Sequence, residues 1–139
     1  MDKVLNYLSL ARKAGLAELG EEPVGVITRA LKGHLVLVAK DASDHTWRRA
    51  KSFVAGTDQQ CVRLPFTKAE VGFAVGRQEL AIAAITDAGM ALSIVEALDQ
   101  PEKHKDVIDV LTAKKQRILQ RQKEAKAHKR NVRTGKAKK

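Results

Sequence analysis

The sequence is poor in cysteine, in aromatic residues and in long apolar runs. Its single cysteine, Cys61, excludes an internal disulfide and a zinc site built from several thiolates. Aromatic residues make up only 4% of the chain, which disfavours a surface that stacks single-stranded bases. The longest apolar run, residues 80–85, is too short to cross a membrane, and the amino terminus shows no secretion signal. We therefore expect a cytoplasmic protein with no membrane partner.

Patterns that indicate catalysis are also missing. The four histidines do not match metal-ligand spacing. The stretch DASDH (41–45) holds Asp, Ser and His together, but triad members usually come from distant segments, so a turn followed by a helix cap is favoured. Cys61 has no cationic partner nearby in sequence and is interpreted as a buried thiol. We expect no enzyme activity, no metal, no cofactor and no small-molecule substrate.

Positive charge is concentrated in the carboxyl-terminal part of the chain. The formal net charge is +10. Residues 1–99 contain twelve basic and twelve acidic residues, whereas residues 100–139 contain fourteen basic residues and four acids. A segment this basic attracts phosphates in a salt-dependent manner. Nucleic acid is favoured over a solubilising or membrane-attracted extension, because no lipid-anchoring motif and no bulky apolar anchor follow Leu119.

Apolar periodicity predicts alternating helices and strands up to residue 100. The runs 35–39 and 80–85 are typical of strands covered on both faces, so we expect an α/β fold with helices on both sides of one sheet. A helix over 22–32 should carry Val24, Ile27 and Leu31 on one face and end before Gly33. Thr67 and Glu70 fit a capping box at the start of another helix.

The stretch GEEP (20–23) is well suited to begin a helix. Glu21 and Glu22 face the positive end of the helix dipole, worth about 0.3–1 kcal/mol each. Pro23 is favoured in the first turn, where its missing N–H would have no intrahelical partner.

Residues 101–139 are interpreted as a basic extension of a domain formed by residues 1–100. Its first part is amphipathic, because one side of a helix would carry Val107, Ile108, Leu111, Ile118 and Leu119. Two roles stay open for this side: packing on the body or binding a partner. The remainder is expected to be disordered or a solvated helix until it meets a polyanion.

Three segments in this order resemble the ribosomal protein L-seven-Ae, L-thirty-e and S-twelve-e superfamily, especially its bacterial YlxQ-like members. The segments are LARKAG, GEEPVGVITRALKGHLVLVAKDAS and VRLPFTKAEVGFAVGRQELAIAAITDAG. The resemblance covers roughly residues 3–98 and none of the tail. It implies a three-layer α-β-α sandwich with one mixed four-stranded sheet. It also implies a non-enzymatic protein that binds a kinked RNA duplex, the kink-turn, in ribosomal or other ribonucleoprotein particles.

The resemblance further implies a site at the start of the second helix, where the family has Gly-x-Asn-Glu-x-x-Lys facing the RNA. Gly20 matches the glycine, and Glu22 stands where Asn or Glu occurs. Pro23 and Val26 stand where the family has Glu and Lys, which removes two expected contacts. Asp41 and the loop 77–80 match regions near the RNA in the family.

We therefore predict an RNA-binding protein, ribosome-associated and monomeric when free, whose body recognises RNA shape and whose tail binds phosphates. The body residues are Gly20, Glu21, Glu22, Arg29, Lys40, Asp41, Arg77, Gln78, Glu79 and Leu80. The tail residues are Lys114, Lys115, Arg117, Arg121, Lys123, Lys126, Lys129, Arg130 and Arg133. The competing hypothesis is a protein-interaction module of the same fold, in which residues 107–119 bind a partner and the tail binds polyanions non-specifically.

Overall fold

The structure, a computed structural model, describes the backbone of residues 2–134 and the side chains of residues 2–129. The predicted alternation of helices and strands is confirmed. In chain order the elements are α1 (Lys3–Lys13), β1 (Ala17–Leu19), α2 (Glu21–Arg29), β2 (Leu35–Val38), α3 (Asp44–Val54), β3 (Gln60–Arg63), α4 (Lys68–Ala74), β4 (Ile82–Ile85), α5 (Ala88–Ala97) and α6 (Lys105–Thr134). Within residues 2–134, no helix is both long and apolar enough to cross a bilayer.

The four strands form one mixed sheet, as predicted, and their order is β1-β4-β2-β3. β2 pairs in parallel with β3, whereas β4 is antiparallel to both β2 and β1. The carboxyl ends of β1, β2 and β3 therefore meet the amino end of β4. We call this edge, at Gly20, Lys40 and Leu80, the Gly20 end. The opposite edge, at Asp58 and Thr86, is the Asp58 end.

Strand β2 lies at the centre of two cores, because all four of its residues are buried. Leu35 and Leu37 face a large core completed by α1, α4, α5 and α6. Val36 and Val38 face a smaller core completed by α2 and α3. Each such side chain contributes about 1.5–3 kcal/mol when it is withdrawn from water. The predicted three-layer α-β-α sandwich is confirmed.

The structure confirms the predicted capping box and corrects the end of α2. The Thr67 hydroxyl accepts from the backbone N–H of Glu70, whose carboxylate accepts from the N–H of Thr67. Helix α2 ends at Arg29, so the prediction that it continues to residue 32 with Leu31 on its apolar face is wrong: Leu31 is 64% exposed with a φ of 60°. Because Leu31 adopts the left-handed conformation, the N–H of Lys32 can donate a hydrogen bond to the carbonyl of Ile27, and this bond ends the helix.

Helix α6 begins beside the Gly20 end and runs along α5 toward the Asp58 end. Leu111 is fully buried in the large core, and Val107 and Ile108 pack against it. These three residues therefore pack on the body, which is one of the two roles left open for the apolar side of this helix. From Leu119 to residue 129 every side chain is exposed, as expected for a solvated helix. The division into a domain 1–100 and an extension 101–139 stays a prediction.

Candidate functional site

The three body segments predicted to face RNA meet at the Gly20 end. Gly20 leaves β1 and donates its N–H to the carbonyl of Ile82 (3.0 Å). Lys40 follows β2, and its N–H donates to the carbonyl of Phe66 (2.8 Å). Leu80 precedes β4, and its N–H donates to the carbonyl of Lys68 (2.9 Å). Residues far apart in sequence thus lie at the same end of the sheet, because β4 is antiparallel to both β1 and β2.

Gly20 and Arg77 are direct neighbours across this edge. Gly20 has a φ of 97°, which disfavours any residue with a side chain. A Cβ at Gly20 would lie 3.9 Å from the guanidinium Nη1 of Arg77 and 3.8 Å from Cδ of Pro23. The exposed guanidinium therefore stands at the amino end of α2, where the helix dipole is positive. The guanidinium favours an acceptor-rich group such as a phosphate or a guanine edge, whereas the helix dipole is already met by Glu21 and Glu22 of the first turn.

A cleft beside the start of α2 combines both signs of charge. The carboxylate of Glu21 forms an ion pair with Arg49, which sequence analysis did not select. The guanidinium of Arg49 also lies 5.2 Å from the centre of the Phe53 ring, which holds it against α3. Exposed Glu22 and Arg29 line the same cleft, so Arg29 joins the predicted acids. The two consecutive arginines at 48–49 were the only sequence signal for Arg49. They do not reveal that its ion-pair partner lies on α2.

Asp41 has a structural task at this edge. Its Oδ1 accepts a hydrogen bond from the backbone N–H of Lys68 (2.7 Å) and so ties the start of α4 to the end of β2. In the adjacent capping box, hydrogen bonds from the Thr67 N–H and hydroxyl lower the pKa of the exposed Glu70 carboxyl. Both carboxylates satisfy donors of the first turn of α4. Asp41 thus helps to position the loop that follows α4.

The loop 77–80 is clamped onto α4 through a glycine. A Cβ at Gly72 would lie 2.6 Å from Cα of Glu79, so only glycine permits this approach. The N–H of Arg77 donates to the carbonyl of Gly72 (2.8 Å). Arg77, Gln78 and Glu79 are exposed, whereas Leu80 is 5% exposed and belongs to the large core. The structure therefore presents three of the four predicted loop side chains to solvent.

Phe73 is an exposed aromatic residue next to this loop. Its side chain is 76% exposed on α4, and its carbonyl accepts from the N–H of Gly76 (3.3 Å). The sequence did not point to Phe73, because the low aromatic content of the chain disfavours base stacking. The helical phase of α4 was the available signal, since the buried positions Val71 and Ala74 leave Phe73 on the solvent side.

The predicted tail residues do not join the Gly20 end. Lys114 is 7% exposed, and its Nζ lies 3.2 Å from Oδ1 of Asp58 at the opposite edge. Arg117 also approaches Asp58, with Nη2 3.8 Å from Oδ2. Lys114 is therefore engaged within the body. The exposed predicted residues are Lys115, Arg117, Arg121, Lys123, Lys126 and Lys129, while the side chains of Arg130 and Arg133 lie outside the described residues.

The described side chains offer little for metal binding or thiol chemistry. No group of three or more His, Cys, Asp or Glu that could hold a metal occurs within residues 2–129. Burial raises the pKa of the half-buried Cys61 thiol to about 12, which keeps it protonated at neutral pH. Ser43 of the DASDH stretch is the N-cap of α3 and accepts from the N–H of Thr46 (3.1 Å), which confirms the interpretation as a cap.

Comparison with known proteins finds a curated relative and solved structures of the same fold. No family model matches the chain. The RNA-binding protein YlxQ of Enterococcus faecium is 31% identical over 97 residues, a match that covers 70% of this chain and 92% of that relative. A protein of unknown function from Bacillus halodurans matches with a TM-score of 0.67 and 24% identity, covering 72% of this chain and 100% of that one. The 15.5kD RNA binding protein of Giardia lamblia matches with a TM-score of 0.59 and 17% identity, covering 71% of this chain and 84% of that one.

Proposed function

The chain belongs to the YlxQ family, and we propose that it is a non-enzymatic RNA-binding protein that recognises structured RNA with the Gly20 end of its sheet. The relative from Enterococcus faecium is named as an RNA-binding protein, which supports RNA as the partner. The observation that carries the proposal is the convergence of the segments at Gly20, Lys40 and Arg77 on one edge. Resemblance to ribosomal proteins is what supports a ribosomal target in the cytoplasm.

The exposed groups of this edge suit the base edges of a kink-turn. The Arg77 guanidinium can donate two parallel hydrogen bonds to a guanine, and the carboxylate of Glu22 can accept from amino or imino groups. Val26, 55% exposed, lacks the amine that the family lysine provides, and Pro23 lacks the carboxylate. We expect Arg77, beside Gly20, to supply the cationic contact that Val26 does not.

The exposed tail supplies affinity rather than selection. Its basic residues come after the part of α6 that packs along the body. They therefore project from the Asp58 end. Residues 105–114 of a helix extend about 15 Å. An RNA that contacts both the Gly20 end and the tail must therefore reach at least about 15 Å along the body. Tail contacts to phosphate add affinity equally for all sequences and weaken as salt rises.

The test of the body site compares two RNAs and three single variants of the full chain. The RNAs are a kink-turn and the same RNA with its G·A pairs replaced. Arg77→Gln and Glu22→Gln should each reduce the preference for the intact kink-turn by about 5- to 150-fold, the loss expected for a bidentate base contact of about 1–3 kcal/mol. The control Lys32→Gln removes an exposed charge at the Asp58 end and should leave the preference unchanged. A wild-type protein without preference between the two RNAs would refute the proposed recognition.

A further inference from the structure

A cationic cavity lies beside Lys40 and is lined mainly by residues that have not been discussed so far. Its volume is about 200 Å³, well above the roughly 10–15 Å³ that a cavity needs to hold one water molecule. Three parts of the chain enclose it: the end of β2, the end of β3 and the turn between α5 and α6. The charged residues of its lining are Lys40, Arg63 and Lys103, and no carboxylate lines it. In a body whose residues 1–99 sum to zero charge, such a lining attracts anions.

His104 provides a buried polar group in the same lining. Its side chain is 7% exposed, and its Nδ1 has no hydrogen-bond partner among the described residues. Nδ1 itself is fully buried, so a ligand in the cavity would meet another part of the imidazole. Burial and the neighbouring charge of Lys103 lower the pKa of His104, whereas an interaction with the backbone of Gln100 opposes this shift. An imidazole in its neutral form carries one N–H that can donate to an anion.

The start of a helix adds to the attraction for an anion. Arg63, one of the lining residues, has its guanidinium carbon 4.8 Å from the centre of the Trp47 ring, which restrains this end of the side chain beside α3. The 30-residue helix α6 begins at Lys105, directly after His104, so the positive end of its dipole adjoins the cavity. The three cations of the lining and the start of α6 together suit the oxygens of a phosphate group.

We propose that this cavity binds one backbone phosphate of the RNA that the Gly20 end recognises. The inference rests on the proposed function, and it adds a contact made partly by the turn that leads into α6. Lys40 belongs to both the edge and the cavity, so the phosphate would lie next to the recognised bases. A phosphate contact carries no sequence information, so it should raise affinity without changing the choice of RNA.

The first test measures RNA affinity as a function of salt for the full chain and its variants. Arg63→Gln and Lys103→Gln should each weaken binding to both RNAs about tenfold, as expected for the loss of a charge-assisted contact. The log–log salt slope should fall by about 0.9 for one phosphate. Because both cations face the same phosphate, the double variant should lose no more slope than either single variant. Lys32→Gln, an equal charge change at the Asp58 end, is the matched control.

The outcomes separate this inference from the proposed function. If the cavity variants behave like Lys32→Gln while wild type prefers the kink-turn, the cavity is not an RNA contact and only this inference fails. If wild type shows no preference, the proposed recognition fails, whatever the cavity variants do. Binding that weakens about tenfold with an unchanged preference supports both.

The second test follows the imidazole of His104 by NMR in the full chain. Its ring nitrogen signals should shift on addition of RNA and should not shift in Lys103→Gln at the same RNA concentration. Inorganic phosphate is the second arm. Shifts with inorganic phosphate but none with RNA would assign the cavity to a small free phosphate and overturn the RNA contact. An unshifted signal in both arms would overturn the phosphate site altogether.

Discussion

The Nζ atom of Lys114 lies 3.2 Å from Oδ1 of Asp58, and this ion pair joins α6 to the loop before β3. Only 7% of Lys114 is exposed. One turn earlier, Leu111 is fully buried among the residues of the large core. The first third of α6 is therefore packed as part of the body, and the basic segment that follows projects from the Asp58 end.

Asp58→Asn should destabilise the protein, because it leaves the buried ammonium of Lys114 without a carboxylate. We expect the free energy of unfolding to fall by about 1–3 kcal/mol in urea denaturation. The matched control is Asp109→Asn, which breaks the exposed pair of Lys105 and Asp109 (2.8 Å) and should have little effect. If both substitutions lower the free energy of unfolding by the same amount, the buried pair of Lys114 and Asp58 is no more stabilising than an exposed pair.

Gly72→Ala should displace the loop that carries Arg77. The added methyl group would lie 2.6 Å from Cα of Glu79, so either α4 or the loop must move. Overpacking of this kind costs about 1–3 kcal/mol, more than the 0.5–1 kcal/mol that alanine gains over glycine in a helix. Urea denaturation should show the loss, and the preference for kink-turn RNA should fall with it. Ala69→Ser, at an exposed position of the same helix, should change neither quantity.

Phe73→Ala should weaken RNA binding without destabilising the fold. A base stacked on this exposed ring would contribute about 1–3 kcal/mol, or about 5- to 150-fold in affinity. The side chain is 76% exposed, so unfolding in urea should be nearly unchanged. Leu10→Ala, a truncation of another exposed apolar side chain on α1, is the control for general loss of surface. Identical affinities of Phe73→Ala and wild type would exclude stacking on this residue.

Cys61 should react slowly with thiol reagents in the folded protein. Burial raises its pKa to about 12, so the reactive thiolate is scarce even at pH 8.5. The rate of alkylation should rise sharply when the chain is unfolded in urea, where the thiol regains its ordinary pKa. Rapid alkylation of the folded protein at pH 8.5 would contradict the buried, protonated thiol.

The fold was largely predictable because its strongest signals are local. The apolar runs at 35–39 and 80–85 indicated strands covered on both faces, and Thr67 with Glu70 indicated a helix start. The end of α2 was not predictable from its pattern, since Leu31 adopts the left-handed conformation that usually falls to glycine. Local periodicity also did not reveal that Leu111 belongs to the large core.

The candidate site was only partly predictable because its geometry is tertiary. The resemblance selected Gly20, Glu22 and the loop 77–80, and the sheet topology brings them together. The pairing of Glu21 with Arg49 and the approach of Glu79 to Gly72 depend on how separate helices and loops pack. The cationic cavity draws on segments more than twenty residues apart, so no single motif could indicate it.

The most direct test of the account asks whether recognition by the Gly20 end survives without the tail charges. The variant keeps the full chain, and therefore keeps Leu111 and Lys114 in place. Six tail cations are replaced by glutamine: Arg121, Lys123, Lys126, Lys129, Arg130 and Arg133. Affinities for the kink-turn RNA and for the RNA with replaced G·A pairs are measured at two salt concentrations. Glu124→Gln, which makes the tail more basic, is the control of opposite sign.

The account predicts weaker binding to both RNAs and a log–log salt slope reduced by about five, for six phosphates at about 0.9 each. It also predicts that the ratio of the two affinities stays at its wild-type value, because the Gly20 end is unchanged. If the preference disappears together with the tail charges, or if wild type has none, the Gly20 end does not recognise structured RNA and the central claim is wrong.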